Sequence, residues 1–329
     1  MLRGSSRWSM VAVASFLLLL AGLGPVAAAV AIAPSELDRQ LVDAASAGNL
    51  ADMRRVLSAG ASVDARSPVG KTALMFAAME GHLDAVRLLV ERGAQIDAQT
   101  IDGCTALFCA AGAGHAAVVE YLLSKGAAIG HRTRAGWDAL ANALNGGFAD
   151  VVKVLLAHGA DATERDRRGD PLLHLAAVKG GGQAVAMMLA AGAQPDAAGR
   201  FGATALMKAA AVDATGAMEQ LLQGGATVDA RDFDGASALL WAAEQGRIAA
   251  ARLLLTHGAA VNGQNDEGWT ALFEAAYAGH LELVRVLLAS KANAGLRDSH
   301  GLCAADYARG RGNRVIADML QQACKPPPL

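Results

Sequence analysis

The residues in this chain with the means to do chemistry are eight histidines, four cysteines and the triplet Gly70-Lys71-Thr72. A Gly-Lys-Thr triplet can close a loop whose backbone N–H groups and lysine cradle a nucleotide's phosphates. That loop needs a glycine five residues earlier, where this chain has Ala65. No pattern of a parallel strand precedes it, so Thr72 reads better as a helix N-cap. Cys109 and His115 could be imagined as a nucleophile and its base. Nothing beside them reads as an orienting carboxylate or an oxyanion hole. The histidines lack H-E-x-x-H, and no Cys/His group has zinc-ligand spacing. Catalysis, bound metal and cofactor are therefore not expected.

Charge narrows the partner class. Lys and Arg number 29 against 31 Asp and Glu, a net charge of −2. Such a chain has no electrostatic footprint for nucleic acid or for an anionic membrane. Its apolar mass is 53% of residues but aromatics are only 4%, a mixture of Ala, Leu and Val suited to small, close-packed helices.

The histidines find a simpler explanation in a period. His82 and His115 are 33 residues apart, and His280 falls on the same series. Glycines recur with that spacing at 70, 103, 136, 169, 202, 235, 268 and 301. A Gly-Ala pair repeats from Gly60-Ala61 to Gly258-Ala259 in the same register, and Lys291-Ala292 closes the series without its glycine. One unit shows what each period encodes. After the Gly70 turn, Leu74, Ala77 and Ala78 give a short helix one apolar face. Gly81 breaks it. Leu83, Val86, Leu89 and Val90 mark a second helix, and Gly93 is placed to end it in the left-handed conformation. An extended, hairpin-like loop leads to the next turn. Two such helices cannot bury their apolar faces alone, so successive units must stack.

The pattern resembles the ankyrin repeat, most closely in Gly268-Trp269-Thr270-Ala271-Leu272 with Ala275-Ala276 and Gly279-His280, and in Gly103 through Gly126. The family's usual Pro is Ala at 73, 106, 139, 205, 238 and 271, and its usual His survives as His174. The resemblance implies an all-α solenoid of about nine helix-turn-helix units with hairpin-like loops and a concave binding groove. Residues 35–66 are then an N-terminal cap repeat, 67–297 seven repeats, 298–324 a C-terminal cap repeat and 325–329 a Pro-rich tail. Lys179-Gly180-Gly181-Gly182, followed by Asp213-Ala214-Thr215 where Gly-His is usual, predicts that residues 178–216 open more readily than their neighbours.

The first 31 residues read as an export signal. Arg3 and Arg7 precede the uncharged run Met10–Leu23, and Ala27-Ala28-Ala29 or Ala29-Val30-Ala31 fits an A-x-A cleavage site. An uncleaved anchor is the alternative, since the uncharged stretch is long enough to cross ~30 Å of hydrocarbon; only in that case is a membrane partner expected. Either reading puts the rest of the chain outside the cytoplasm, in the periplasm first, with secretion or an inner-membrane anchor as alternatives. In an oxidising compartment Cys303, at the start of the last repeat's first helix, and Cys324, at the end of its antiparallel second helix and so near it, can form a disulfide, worth about 3 kcal/mol if made. Two unpaired cysteines are the other possibility.

The exposed face of each first helix, with the hairpin tips, should line the groove. There the chain places Phe76, Trp137, Phe201, Phe233, Trp241, Trp269, Tyr277 and Tyr307. Arg165 and Arg168 stand in a basic middle, while Glu244, Asp266, Glu267 and Glu274 make the C-terminal part acidic. Exposed aromatics suit a protein-binding surface. The expectation is a monomeric, non-catalytic scaffold for a protein partner. An effector acting on host proteins, or an immunity or inhibitor protein for a toxin, is the alternative.

Overall fold

The computed structural model describes residues 35–321; the export segment, Cys324 and the Pro-rich tail lie outside them. The described residues form nine helix pairs. The first four are α1 (Glu36–Ser46) with α2 (Leu50–Ser58), α3 (Ala73–Met79) with α4 (Leu83–Glu91), α5 (Ala106–Ala113) with α6 (Ala116–Ser124), and α7 (Ala139–Gly146) with α8 (Ala149–Ala157). The fifth is α9 (Leu172–Leu175) with α10 (Gly181–Ala190), joined by a π-helical turn over Ala176–Gly180. The last four are α11 (Ala205–Ala211) with α12 (Thr215–Gln223), α13 (Ala238–Glu244) with α14 (Ile248–Thr256), α15 (Ala271–Ala278) with α16 (Leu281–Ala289), and α17 (Ala304–Gly310) with α18 (Arg314–Gln321). Among the described residues there is no strand, only two isolated bridges, Arg66 with Thr72 and Arg165 with Pro171, inside hairpin loops.

Local chemistry starts and stops these helices. The Thr72 hydroxyl accepts from the Met75 N–H at 3.3 Å, Thr105 from Phe108 at 3.2 Å, and the Asp138 carboxylate from Ala141 at 2.7 Å. Each satisfies a donor that the first helical turn leaves without a partner. At the turn between paired helices the backbone is left-handed, as at Gly81 (φ +78°), and Asp213 takes the same conformation at φ +61°. Aspartate tolerates that region better than most residues. Its carboxylate also accepts from the Ala250 N–H of the next repeat at 2.7 Å.

Leu74, Leu107, Leu140, Leu173, Leu206, Leu239 and Leu272, one per repeat, are all at most 1% exposed. Burying each contributes roughly 1.5–3 kcal/mol. Ala77, Ala110, Ala143, Ala176, Ala209, Ala242 and Ala275 are wholly buried beside them and let neighbouring first helices approach closely.

Two rows of side chains tie repeat to repeat. In the first, Nε2 of His82 donates to Ser46 O (3.0 Å), His115 to Met79 O (2.9 Å) and His280 to Glu244 O (3.1 Å). Arg247 and Asn313 do the same work at that position, on Ala211 O and Ala276 O. In the second row, Asp64, Asp97, Asp196, Asp229 and Asn262 accept from a loop N–H of the next repeat at 2.7–3.0 Å. Phe148, Gly181 and Ala214 interrupt the first row, and Gly130 and Thr163 the second. Both rungs are absent where α7–α8 joins the pairs on either side of it, and one where α9–α10 joins α11–α12.

The fifth pair is irregular as well. Its positive-φ glycine is Gly181 (φ +72°, ψ −179°), one residue later than the 33-residue period requires and extended rather than left-handed helical, and the π turn takes up the extra residue. The stretch that lacks these two kinds of rung therefore begins earlier than the glycine run alone indicates, although Arg132–Glu164, Arg167–Arg134 and Asn142–Phe108 contacts also cross it. Amide hydrogen exchange followed by mass spectrometry is expected to show residues 130–190 losing protection before residues 36–124 and 238–289. Equal protection along the array would contradict this account.

Candidate functional site

The groove-side surface is a lattice generated by the period. One row, on the first turn of the first helices, runs Phe76, Cys109, Asn142, Leu175, Lys208, Trp241, Glu274, Tyr307; a second, one helical turn on, includes Met79, Val178, Glu244 and Tyr277. A third, at the base of the hairpins, includes Lys71, Cys104, Trp137, Asp170 and Trp269.

The predicted aromatic residues separate into groups. Phe76 is half-buried with the Lys71 ammonium 5.4 Å from its ring centre. Trp137 lines a depression of about 200 Å³ with His174, Leu175, Val178 and Lys179. Phe201 and Phe233 stand at adjacent hairpin tips, 65% and 76% exposed, and the Phe233 N–H donates to Phe201 O at 2.8 Å. Phe201 holds φ at +59°, an uncommon conformation for a bulky residue and a cost the neighbouring hairpin must offset. Trp241 is pinned: its indole N–H donates to Asp232 Oδ2 at 2.8 Å, and the Lys208 ammonium lies 5.3 Å from its ring.

Trp269 and Tyr277 belong to a larger cluster that also takes in Phe273 and Tyr307. Ring centres are 4.7 Å apart for Trp269–Tyr307, 5.5 Å for Trp269–Tyr277 and 6.0 Å for Trp269–Phe273. Phe273 is the buried foot of the cluster at 1% exposure. The Tyr307 hydroxyl donates to Asp298, a carboxylate that the Leu302 and His300 N–H groups also hold. These rings are fixed before any partner arrives.

The two predicted arginines differ. The Arg165 guanidinium donates to Gly169 O at 2.7 Å and to Ala198 O at 2.8 Å, which clamps its own hairpin to the next. Arg66 and Arg231 make the equivalent clamp, so Arg165 serves the array before it serves a partner. Arg168 is exposed at a hairpin tip. Cys303, the N-cap of α17, takes part in a disulfide; its candidate partner Cys324 lies outside the described residues. Cys104 and Cys109 are free thiols.

The groups singled out for possible catalysis are committed elsewhere. Burial, aided by the nearby Cys104, pushes the Cys109 thiol up to about 11, which keeps it protonated and a poor nucleophile. His115 spends its Nε2 on Met79 O. Lys71 reaches the Met79 sulfur at 3.5 Å. Burial holds His174 below the usual histidine range; Nε2 donates to Ala197 O at 2.9 Å, and Nδ1 has no partner. Among the described residues no group of three His, Cys, Asp or Glu side chains could hold a metal ion.

Glu274 was legible only as one charge of an acidic end. It is half-buried among the aromatics; that burial, with Glu244 and Glu267 nearby, raises its carboxyl to about 7.

Family models for ankyrin repeats match the chain at residues 41–133, 125–199 and 173–265, and a second ankyrin model matches residues 254–308. No curated protein matches it.

The Glu274 titration has a stability consequence. Its folded value of about 7 lies above the ordinary 4.5, so between those pH values the folded state holds the extra proton. Stability contributed this way falls as pH rises through that window. Glu274→Gln is expected to stabilise the protein at pH 8 by on the order of 1 kcal/mol, after allowance for solvent screening, and to be neutral at pH 4. Thermal melts at the two pH values test it; equal effects at both would contradict the assignment.

Proposed function

The chain belongs to the ankyrin-repeat family, and we propose that it is a non-catalytic scaffold that binds a partner protein through the groove-side face of its array. Ankyrin repeats generally mediate protein–protein interaction. The observation that carries the reading is a set of aromatic side chains along one side of the array: Phe201, Phe233 and Tyr277 exposed, with Trp241 and Trp269 partly buried against the core beside them. Leaving Phe201 and Phe233 more than half exposed makes no contribution to the core. Rigid rings with low residual entropy are the usual anchors of binding surfaces.

The proposal places this scaffold outside the cytoplasm, with the periplasm as its first compartment. The charged, apolar and small-residue succession before residue 32 supports this reading. The disulfide at Cys303 supports it too, because such bonds persist in oxidising compartments. A single array acting as a monomer is sufficient for the task.

Affinity capture from periplasmic extract, using residues 32–329 beside the Phe233→Ala/Trp241→Ala/Trp269→Ala variant, tests the role and the face together. A partner retained by the parent chain and weakened at least tenfold by the variant is expected. Equal retention by both would contradict the assignment of the face.

A further inference from the structure

We infer that the C-terminal third of the groove takes a basic side chain, an arginine or lysine presented by the partner's polypeptide, and seats it over Glu274 within a ring of aromatic side chains. The inference rests on the scaffold reading above and adds the chemistry of the occupant.

The register of the repeats generates the arrangement. Glu274 lies between Trp241 and Tyr307, each 33 residues away in the same row, on the first turns of three successive first helices. Within its own repeat it lies between Trp269, at the base of the hairpin, and Tyr277, nearly one helical turn on. The four nearest lattice positions around this carboxylate are therefore all aromatic. Three of the four rings are in mutual contact, with Trp269–Tyr307, Trp269–Tyr277 and Tyr277–Tyr307 centres 4.7, 5.5 and 6.3 Å apart. Trp241 and Tyr307 are each fixed by a hydrogen bond to a hairpin carboxylate, Asp232 or Asp298. The ring walls are thus preorganised, and Tyr277 remains 37% exposed.

Charge selects the occupant. Glu244 and Glu267 approach Glu274 closely enough to act on its carboxyl, while no hydrogen bond or ion pair reaches that carboxyl among the described residues. A half-buried carboxylate with two more beside it and no cation opposite favours a positive ligand. Aromatic faces favour the same ligand through their quadrupoles. The chain already shows this at two of these rings, where the Arg311 guanidinium sits 4.7 Å from the Tyr277 ring centre and the Lys208 ammonium 5.3 Å from that of Trp241. An acidic or purely apolar segment would leave the three carboxylates uncompensated. Burial first, then Glu244 and Glu267, raises the Glu274 carboxyl; an arriving cation favours its ionised form, so binding should strengthen as pH rises through 7.

The test uses N-acetyl-arginine N-methylamide as the probe and N-acetyl-citrulline N-methylamide, its neutral near-isostere, as the control. Both are titrated to tens of millimolar into the purified protein, with the indole N–H signals followed by NMR. The arginine probe is expected to move the Trp269 and Trp241 signals saturably while Trp137, in a different depression, stays put. Citrulline should move neither. Glu274→Gln should weaken the arginine probe at least fivefold, with its fold checked by circular dichroism. Trp269→Phe supplies the signal assignment and an independent variant. Equal shifts with citrulline, shifts of Trp137 as large as those of Trp269, or no shift with arginine would overturn the inference. A partner captured by the array while the arginine probe moves no indole would sink this inference and leave the scaffold reading standing. Arginine-specific shifts with no partner captured would support the basic-side-chain site and count against the scaffold reading alone.

Discussion

The structure depends on one constraint: a pair of four- to eleven-residue helices has too little surface to bury its own apolar face. Every pair must borrow a neighbour. The buried leucine row from Leu74 to Leu272 and the alanines beside it are the shared surface. Because that surface has to meet the same surface in the next unit, the spacing between units cannot drift, and the 33-residue period survives where local residue types do not. Lys291 keeps the left-handed turn at φ +68° after its glycine is lost, and Asp213 does so at its own turn. Backbone geometry is held by stacking, and residue identity follows where it can.

A fixed lattice has a consequence for function. With core positions assigned to Leu and Ala, and junction positions to His, Asp and the clamping Arg, only the outward rows remain free to vary. Variation there is wide: one row reads Phe, Cys, Asn, Leu, Lys, Trp, Glu, Tyr across eight repeats. The rigid array presents these side chains at regular intervals, so recognition is set by which residue occupies which position rather than by a shaped pocket. The depressions on this face, of about 200 and 330 Å³, are gaps between such side chains.

Much of this was legible in the sequence because it is periodic. The Thr72 cap, the Gly81 and Gly93 turns, the Leu74 face and the placing of Trp241, Trp269 and Tyr277 on one side all follow from position within the repeat. Three features were not. Arg165 looked like a partner contact because its type is basic and its place exposed; only the two carbonyls it grasps reveal a structural clamp. The comparison of Arg66, Arg165 and Arg231 at one repeat position was the available signal. Glu274 read as a surface charge, because desolvation depends on the rings packed around it, which a linear pattern does not show. The glycines alone point to residues 178–216 as the stretch that opens first, and the gaps in the two rows of rungs add Gly130, Phe148 and Thr163 to it. Cross-repeat hydrogen bonds, unlike glycine content, appear only once the repeats are stacked.

The central claim is that the groove-side rows, and not the outer face of the second helices, meet the partner. Photocrosslinking in the cell tests it most directly, with benzoyl-phenylalanine placed singly at Lys179, in the Trp137 depression beside the inner rows, or at Tyr277 on them, and at Glu120 or Arg252 on the outer helices. The account predicts a discrete higher-mass adduct from the inner positions and none from the outer ones. Adducts arising from Glu120 or Arg252, with the inner positions silent, would contradict it.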